Sequence, residues 1–374
     1  MYIPYGRQAI DESDIQAVVE ALRSDFLTTG PKIYEFEQIV ANYVGAKYAV
    51  AISNGTAALH AACHAAGITK GDEVITSPIT FAASTNAVLY CGGTPVFADI
   101  DPVSYNIDPF EIRKKISNRT KAIIAVHYTG QPCNMDLIHQ IANENNLVVI
   151  EDAAHALGAD CKGIKVGNIS DMTTFSFHPV KHITTAEGGM ITTNDKELYD
   201  KLKLFRAHGI TRELDSMTKN DGDWYYEQVN LGYNYRITDI QCALGISQMS
   251  RINQFIARRI EIANKYNDAF KSIENIIIPH QIDGCTSSWH LYVIQILNKN
   301  RKDVFDGLRN AGIGVNVHYI PVYSFPYYRQ NGYENTVCRN AEEFYNRIIS
   351  LPIYSDLSDS QQQYVIDKVI ELVK

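Results

Sequence analysis

The sequence predicts an α/β protein with a mainly parallel sheet covered by helices on both faces, followed by a smaller α+β domain. Three observations lead there. Strand-like and helix-like stretches alternate up to about residue 205, as they do where crossover helices join parallel neighbours. Runs such as Val148-Val149-Ile150 are continuously apolar, which suits strands buried on both faces. Beyond residue 205 the alternation loses its regularity. A chain of 374 residues suggests about two domains, divided here into 1–245 and 246–374.

Helices are expected over Glu12–Arg23 and, with Pro31 in a favoured first-turn position, over 32–43. Strands are expected at Tyr48–Ile52, Glu73–Thr76, 95–98, 122–126, 148–151 and 173–177. After a loop region over 206–222, one long helical pattern runs through 238–270. Strand-like 276–278 and 289–296, a helix over 302–311, a strand over 315–318, and helices over 340–349 and 360–373 complete the chain. No internal repeat or low-complexity linker interrupts it.

Composition narrows the function. Apolar residues make up 45% and charged residues 20%, as in an ordinary globular protein. A formal net charge of −8 argues against a general nucleic-acid binder, whose footprint is basic. The one basic cluster, Arg113-Lys114-Lys115 with Arg119 and Lys121, reads as a solvated helix end. The 7 cysteines are odd in number and contain no C-x-x-C pair. That fits a reducing compartment, with neither a disulfide scaffold nor a metal site. With no secretory leader and no membrane span expected, the reading is cytoplasmic.

The most informative stretch is Ser176-Phe177-His178-Pro179-Val180-Lys181, followed by Glu187-Gly188-Gly189. It sets one lysine in a turn between two strand-like runs. Such a lysine is either a solvated surface residue or an amine nucleophile. Three other features bear on the choice. Asp152 ends an apolar β-branched run, where open sheets present ligands, or else it caps a helix. Ser53-Asn54-Gly55-Thr56 joins a strand to an alanine-rich helix, leaving backbone N–H groups suited to a phosphate. Phe81 follows another strand and could stack on a planar ring, or simply be core. Taken together they describe a pyridoxal phosphate site, because that cofactor needs an amine anchor, an acid at its ring nitrogen and a phosphate cradle. Farther along, the aromatic His318-Tyr319-Ile320-Pro321-Val322-Tyr323 could hold a base and sugar hydroxyls, or pack as an ordinary loop.

The order Asn54-Gly55-Thr56, Thr80-Phe81, Asp152-Ala153-Ala154-His155, Ser176-Phe177 and Lys181 through Glu187-Gly188-Gly189 resembles the DegT/DnrJ/EryC1/StrS family of nucleotide-sugar aminotransferases. The likeness runs from Ile3-Pro4-Tyr5 to Leu351-Pro352 and the last helix. It implies the fold-type-I architecture of pyridoxal 5′-phosphate transferases. It also implies that Lys181 carries the cofactor, Asp152 meets its ring nitrogen and Phe81 stacks on it. His155 would lie by the phenolic oxygen or ring edge, where many relatives have glutamine. Gly55, Thr56 and Ser176 would hold the phosphate, joined by Asn234 of a second subunit in a homodimer.

Tyr5 and the segment bearing Phe26, Leu27 and Thr28 match positions that approach the nucleotide sugar in relatives. The His-Pro-Val-Lys wording is most similar to the branch that aminates C4 of a UDP-linked 4-keto-6-deoxy sugar in pseudaminic acid biosynthesis, with L-glutamate as the expected donor. Other readings are amination of a dTDP-linked or 3-keto sugar, a dehydratase of the same fold, or a non-catalytic binding protein. The dehydratases carry histidine in place of the lysine, whereas Lys181 is present here with His182 beside it. A binding protein needs no nucleophile.

Overall fold

The computed structural model describes residues 2–374. Helices α1 (Glu12–Arg23) and α2 (Pro31–Val44) come first. Asp11 closes a capping box on α1, and Pro31 starts α2 where its missing N–H costs nothing. Strands β1 (Tyr48–Ile52), β2 (Glu73–Thr76), β3 (Thr94–Phe97), β4 (Thr120–Val126) and β5 (Val148–Asp152) follow. Between them run α3 (Gly55–Ala65), α4 (Ala83–Tyr90), α5 (Pro109–Lys115) and α6 (Met135–Asn145). A short hairpin, β6 (Asp160–Cys161) and β7 (Ile164–Lys165), precedes β8 (Met172–Ser176), β9 (Gly189–Thr193) and α7 (Lys196–Arg206).

Seven of these strands form one sheet in the order β1-β9-β8-β5-β4-β2-β3. β9 is antiparallel to both its neighbours, and the other six run parallel. Alternation along the strands buries both faces. Val50, Ile52, Ile124 and Ile150 pack with α3 and α4, while Ala49, Ala51 and Phe175 face α2. Ile123, Ala125 and Val149 meet α6. The expected parallel sheet is therefore present, with strand ends within two residues of those read from the sequence.

A hairpin of β10 (Ile210–Thr211) and β11 (Glu227–Gln228) follows and leaves Leu214, Trp224 and Leu231 about two-thirds or more exposed. The pattern over 238–270 is two helices, α8 (Asp239–Met249) and α9 (Ile252–Phe270), rather than one. Hydrogen bonds spanning three residues, from the Ser250 N–H to Ser247 O and from the Arg251 N–H to Gln248 O, tighten the chain at the break. There Arg251 turns back to pair with Asp11 and Asp14.

The remainder holds β12 (Ile276–Ile277), β13 (Cys285–Thr286), β14 (Tyr292–Ile296) and β15 (Ile348–Leu351). It also holds α10 (Arg301–Asn310), a single turn α11 (Pro326–Tyr328), α12 (Arg339–Arg347) and α13 (Asp359–Val373). β12, β14 and β15 make an antiparallel sheet whose core is Tyr292, Ile294, Ile349 and Leu351, packed with α9, α10 and α13. Ile3 joins this cluster through hydrogen bonds with Gly312 and Gly314.

Two expectations fail here. The helix over 340–349 stops at Arg347, because the β-branched Ile348 and Ile349 enter the sheet. Residues 315–318 form no strand; they meet β15 through the isolated Asn316–Ser350 bridge and the His318 side chain. A third departure concerns the cysteines. Cys161 and Cys285 face each other across β6 and β13 and form a disulfide, while the other five are free. Their separation of 124 residues leaves no trace in local spacing.

Three members of the basic cluster are paired with acids: Arg113 with Glu144, Lys114 with Glu111 and Arg119 with Glu73. Among the described residues no helix is long and apolar enough to cross a membrane, and no His/Cys/Asp/Glu group is placed to hold a metal.

Candidate active site

Because β1, β2, β5 and β8 run parallel, their C-terminal ends open on one edge of the sheet. That edge gathers Ser53–Thr56, Ser77–Phe81, Asp152–His155 and Ser176–Lys181, which are far apart in sequence. At the start of α3 the Asn54 side chain accepts the Ala57 N–H at 2.8 Å. The N–H groups of Gly55 and Thr56 are left without an acceptor among the described residues. A Cβ on Gly55 would lie 2.9 Å from Ser176 Cβ and 3.2 Å from its Oγ. Glycine is needed here so that the Ser176 hydroxyl can stand over the helix N-terminus. The result is two free N–H groups, a hydroxyl and a positive helix end, an arrangement that receives a phosphate.

Asp152 caps nothing, since β5 runs into a turn rather than a helix. Its Oδ2 accepts from Ser84 at 2.6 Å and its Oδ1 from the Ala154 N–H at 3.2 Å. Ser84 lies at the start of α4, one turn after Phe81, whose ring is 63% exposed. An exposed phenyl at this edge is a surface for a flat ring to cover.

Lys181 points its Nζ to within 3.4 Å of His290 Nε2. Burial lowers its ammonium from the ordinary lysine range to about 8, opposed by the Asp152 carboxylate and aided by the Arg259 guanidinium. The His155 ring lies tilted against His290 with centroids 4.3 Å apart, and its Nε2 is 3.0 Å from the Tyr319 hydroxyl. Burial pushes the His155, His182 and His290 imidazoles well down, so all three are neutral. His318 is held through Nδ1 by the Ser350 hydroxyl at 2.8 Å and lies 5.4 Å from the Tyr5 ring. Burial and the nearby Lys181 charge bring it to about 4. Tyr5, His318 and Tyr319 thus form one patch beside His155 and Lys181.

Two expected groups make no hydrogen bond to these residues. Phe26, Leu27 and Thr28 are exposed beside the start of α8, where Leu27 O accepts from the Asp239 N–H and Thr28 bridges to Thr238. Asn234 is also exposed, and its sequence neighbours Tyr233 and Tyr235 stack on each other. It does not cap α8, because Thr238 does. Sequence reasoning missed Ser84, His290 and the buried Arg259. Ser84 alone left a signal, falling one helical turn after Phe81.

The residues fit pyridoxal phosphate. An orphaned ring nitrogen at His155, free N–H groups at Gly55 and Thr56, and an uncovered Phe81 suit a polar, planar group. A profile of the DegT/DnrJ/EryC1/StrS aminotransferase family matches residues 8–370. The chain belongs to this family. It is 43% identical to a spore coat polysaccharide biosynthesis protein of Bacillus subtilis, covering 100% of this chain and 97% of that one. It is 38% identical to the UDP-4-amino-4,6-dideoxy-N-acetyl-beta-L-altrosamine transaminase of Campylobacter jejuni, covering 100% and 98%. The structure superposes on a Helicobacter pylori aminotransferase of pseudoaminic acid biosynthesis with a TM-score of 0.94 and 34% identity, covering 100% and 99%. The protein is an aminotransferase of the nucleotide-sugar type with the fold-type-I architecture. Its cofactor is pyridoxal 5′-phosphate.

Proposed function

We propose that this aminotransferase carries an amino group from L-glutamate to C4 of a UDP-linked 4-keto-6-deoxy-N-acetylhexosamine, the amination used in pseudaminic acid biosynthesis. The observation that carries the sugar assignment is the end-to-end likeness to the Campylobacter jejuni transaminase. The patch of Tyr5, His318 and Tyr319 beside Lys181 supports it by offering a ring face and two polar groups to a sugar.

Gly55, Thr56 and Ser176 would hold the cofactor phosphate, Phe81 would pack against its ring, and Asp152 would keep the ring nitrogen protonated. When bound, pyridoxal phosphate supplies an electron sink for the carbon that loses its proton. Lys181 anchors the cofactor and, once freed, takes the proton from the donor α-carbon. In the second half-reaction it delivers a proton to C4 of the sugar. A free lysine holds its proton too tightly for this at neutral pH, and burial brings Lys181 into range. His155, neutral and fixed by Tyr319, is assigned to the cofactor's phenolic edge.

The proposal includes a homodimer in which Asn234 completes the partner's phosphate site, a cytoplasmic location, and nucleotide-sugar contacts from Phe26, Leu27 and Thr28. Mass spectrometry of products from UDP- and dTDP-linked keto sugars with glutamate tests it. A 4-amino UDP-sugar with release of 2-oxoglutarate is expected. Amination of only dTDP-linked or 3-keto substrates refutes it.

A further inference from the structure

His290 reaches Lys181 from a loop built with unusual care. Trp289, just before it, has φ +51°, a left-handed conformation that bulky side chains seldom adopt and that strain at functional sites can account for. The fully buried Arg259 clamps the segment, its Nη1 donating to the carbonyls of Trp289 (3.2 Å), His290 (3.3 Å) and Ile353 (3.0 Å). One residue earlier, Ser288 donates its hydroxyl to His155 O at 3.0 Å, and Ser288 O accepts from His182 Nε2 at 3.0 Å. The backbone on either side of His290 is therefore fixed from three directions. Its ring is wedged between His155 and the Lys181 amine.

The hydrogen bonds of that ring decide its tautomer. His290 is 5% exposed, and its Nδ1 has no partner among the described residues. A neutral imidazole carries one N–H and one lone pair. A proton on Nδ1 would leave a buried donor unpaired, which is the rarer and costlier arrangement. The proton therefore belongs on Nε2, facing Lys181 Nζ at 3.4 Å. An ammonium has no lone pair to accept it, but a neutral amine does.

Resting on Lys181 as the reactive lysine, we propose that His290 is a positioning residue whose Nε2–H donates to the neutral Lys181 amine whenever that amine is free. The bond aims the lone pair and stabilises the base form that proton transfer requires. Every charged or titratable group facing the pair fits this role. Asp152 alone favours the ammonium, Arg259 opposes it, and His155, His182 and His318 are kept neutral by burial, as Tyr319 is.

Competitive acetylation of the enzyme loaded with pyridoxamine phosphate, in which Lys181 is free, reads the effect by peptide mass spectrometry. The wild-type midpoint is expected at about 8. His290→Leu should raise it by about one pH unit, a roughly tenfold loss of labelling at a fixed pH below it. His290→Gln keeps an amide donor and should restore the midpoint. A midpoint that stays put or falls in His290→Leu overturns the proposal, as does equal behaviour of the two variants. Neutron diffraction of wild-type crystals needs no variant: deuterium on Nε2 supports the assignment, and deuterium on Nδ1 overturns it. Borohydride that fixes the cofactor to another lysine defeats the underlying site reading instead, so the two failures are separate.

Discussion

Ser84 donates to Asp152 Oδ2 at 2.6 Å, and Thr80 stands 2.6 Å behind Ser84, so a relay of hydroxyls anchors the carboxylate at the end of β5. An acid held in this way has both its oxygens fixed in direction. Asp152→Asn should fold with a stability change of about 1–2 kcal/mol, the scale of one charge-assisted hydrogen bond. Turnover should fall about a hundredfold or more, as when a placed charge is lost from an active site. Ser84→Ala keeps the charge and should cost only about tenfold. Thermal melts beside steady-state rates check both. An Asp152→Asn enzyme that is unstable yet fully active per folded molecule would mark the acid as structural.

Gly55 faces Ser176 across a gap that admits no side chain. Gly55→Ala should leave the fold intact, because position 55 is helical. It should weaken pyridoxal phosphate binding about tenfold or more, the equivalent of a modest overpacking penalty. Absorbance titration of the apoenzyme reads this directly. Unchanged affinity would move the phosphate away from the α3 N-terminus.

The parts of this site that were legible share one property: each lies at the end of a strand whose own residues announce it. Asp152 follows four residues of β5, and Lys181 follows the polar turn after β8. His290 stands 109 residues from the lysine it touches, and nothing in Ser288-Trp289-His290 distinguishes it from a strand entering the core. The same holds for the break before Arg251, which is set by acids on α1, and for Cys161 with Cys285. Local periodicity fixes which elements form. Contacts chosen by tertiary packing fix what those elements bring together.

The buried imidazoles make the apoprotein acid-sensitive. His155, His182, His290 and His318 all titrate below the ordinary histidine value of 6.5, with His318 at about 4. Between those limits the unfolded chain binds protons that the folded one refuses, so stability falls as pH drops through 6.5. For His318 the slope reaches about 1.4 kcal/mol per pH unit within that window, and the other three histidines act in the same direction. Melting temperatures of the apoprotein at neutral and mildly acid pH measure the slope. A flat profile would show that the folded cluster accepts protons after all.

Lys181→Ala should fold and still bind the cofactor through Asp152 and the phosphate cradle, yet lose turnover by orders of magnitude. Borohydride treatment of the wild type should leave the cofactor on the peptide containing Lys181. Label on Lys162 or Lys165, both outside the sheet edge that gathers the site, would transfer the role. In the active enzyme the proton-transfer rate should rise with pH through about 8, since only the deprotonated amine can take a proton.

The remaining question is whether one chain completes its own site. Asn234 is solvent-exposed with no local capping duty, and the 210–231 hairpin beside it presents Leu214, Trp224 and Leu231 to solvent. Apolar surface of that kind invites burial by a partner, and a two-fold dimer is the commonest closed arrangement. Mixing inactive Lys181→Ala with inactive Asn234→Ala subunits tests for crossing. Random exchange makes half the dimers mixed, and in each of these one of the two sites receives both intact side chains. Roughly a quarter of normal activity should therefore return. Heterodimers that form but stay inactive would place Asn234 and Lys181 in the same subunit's site.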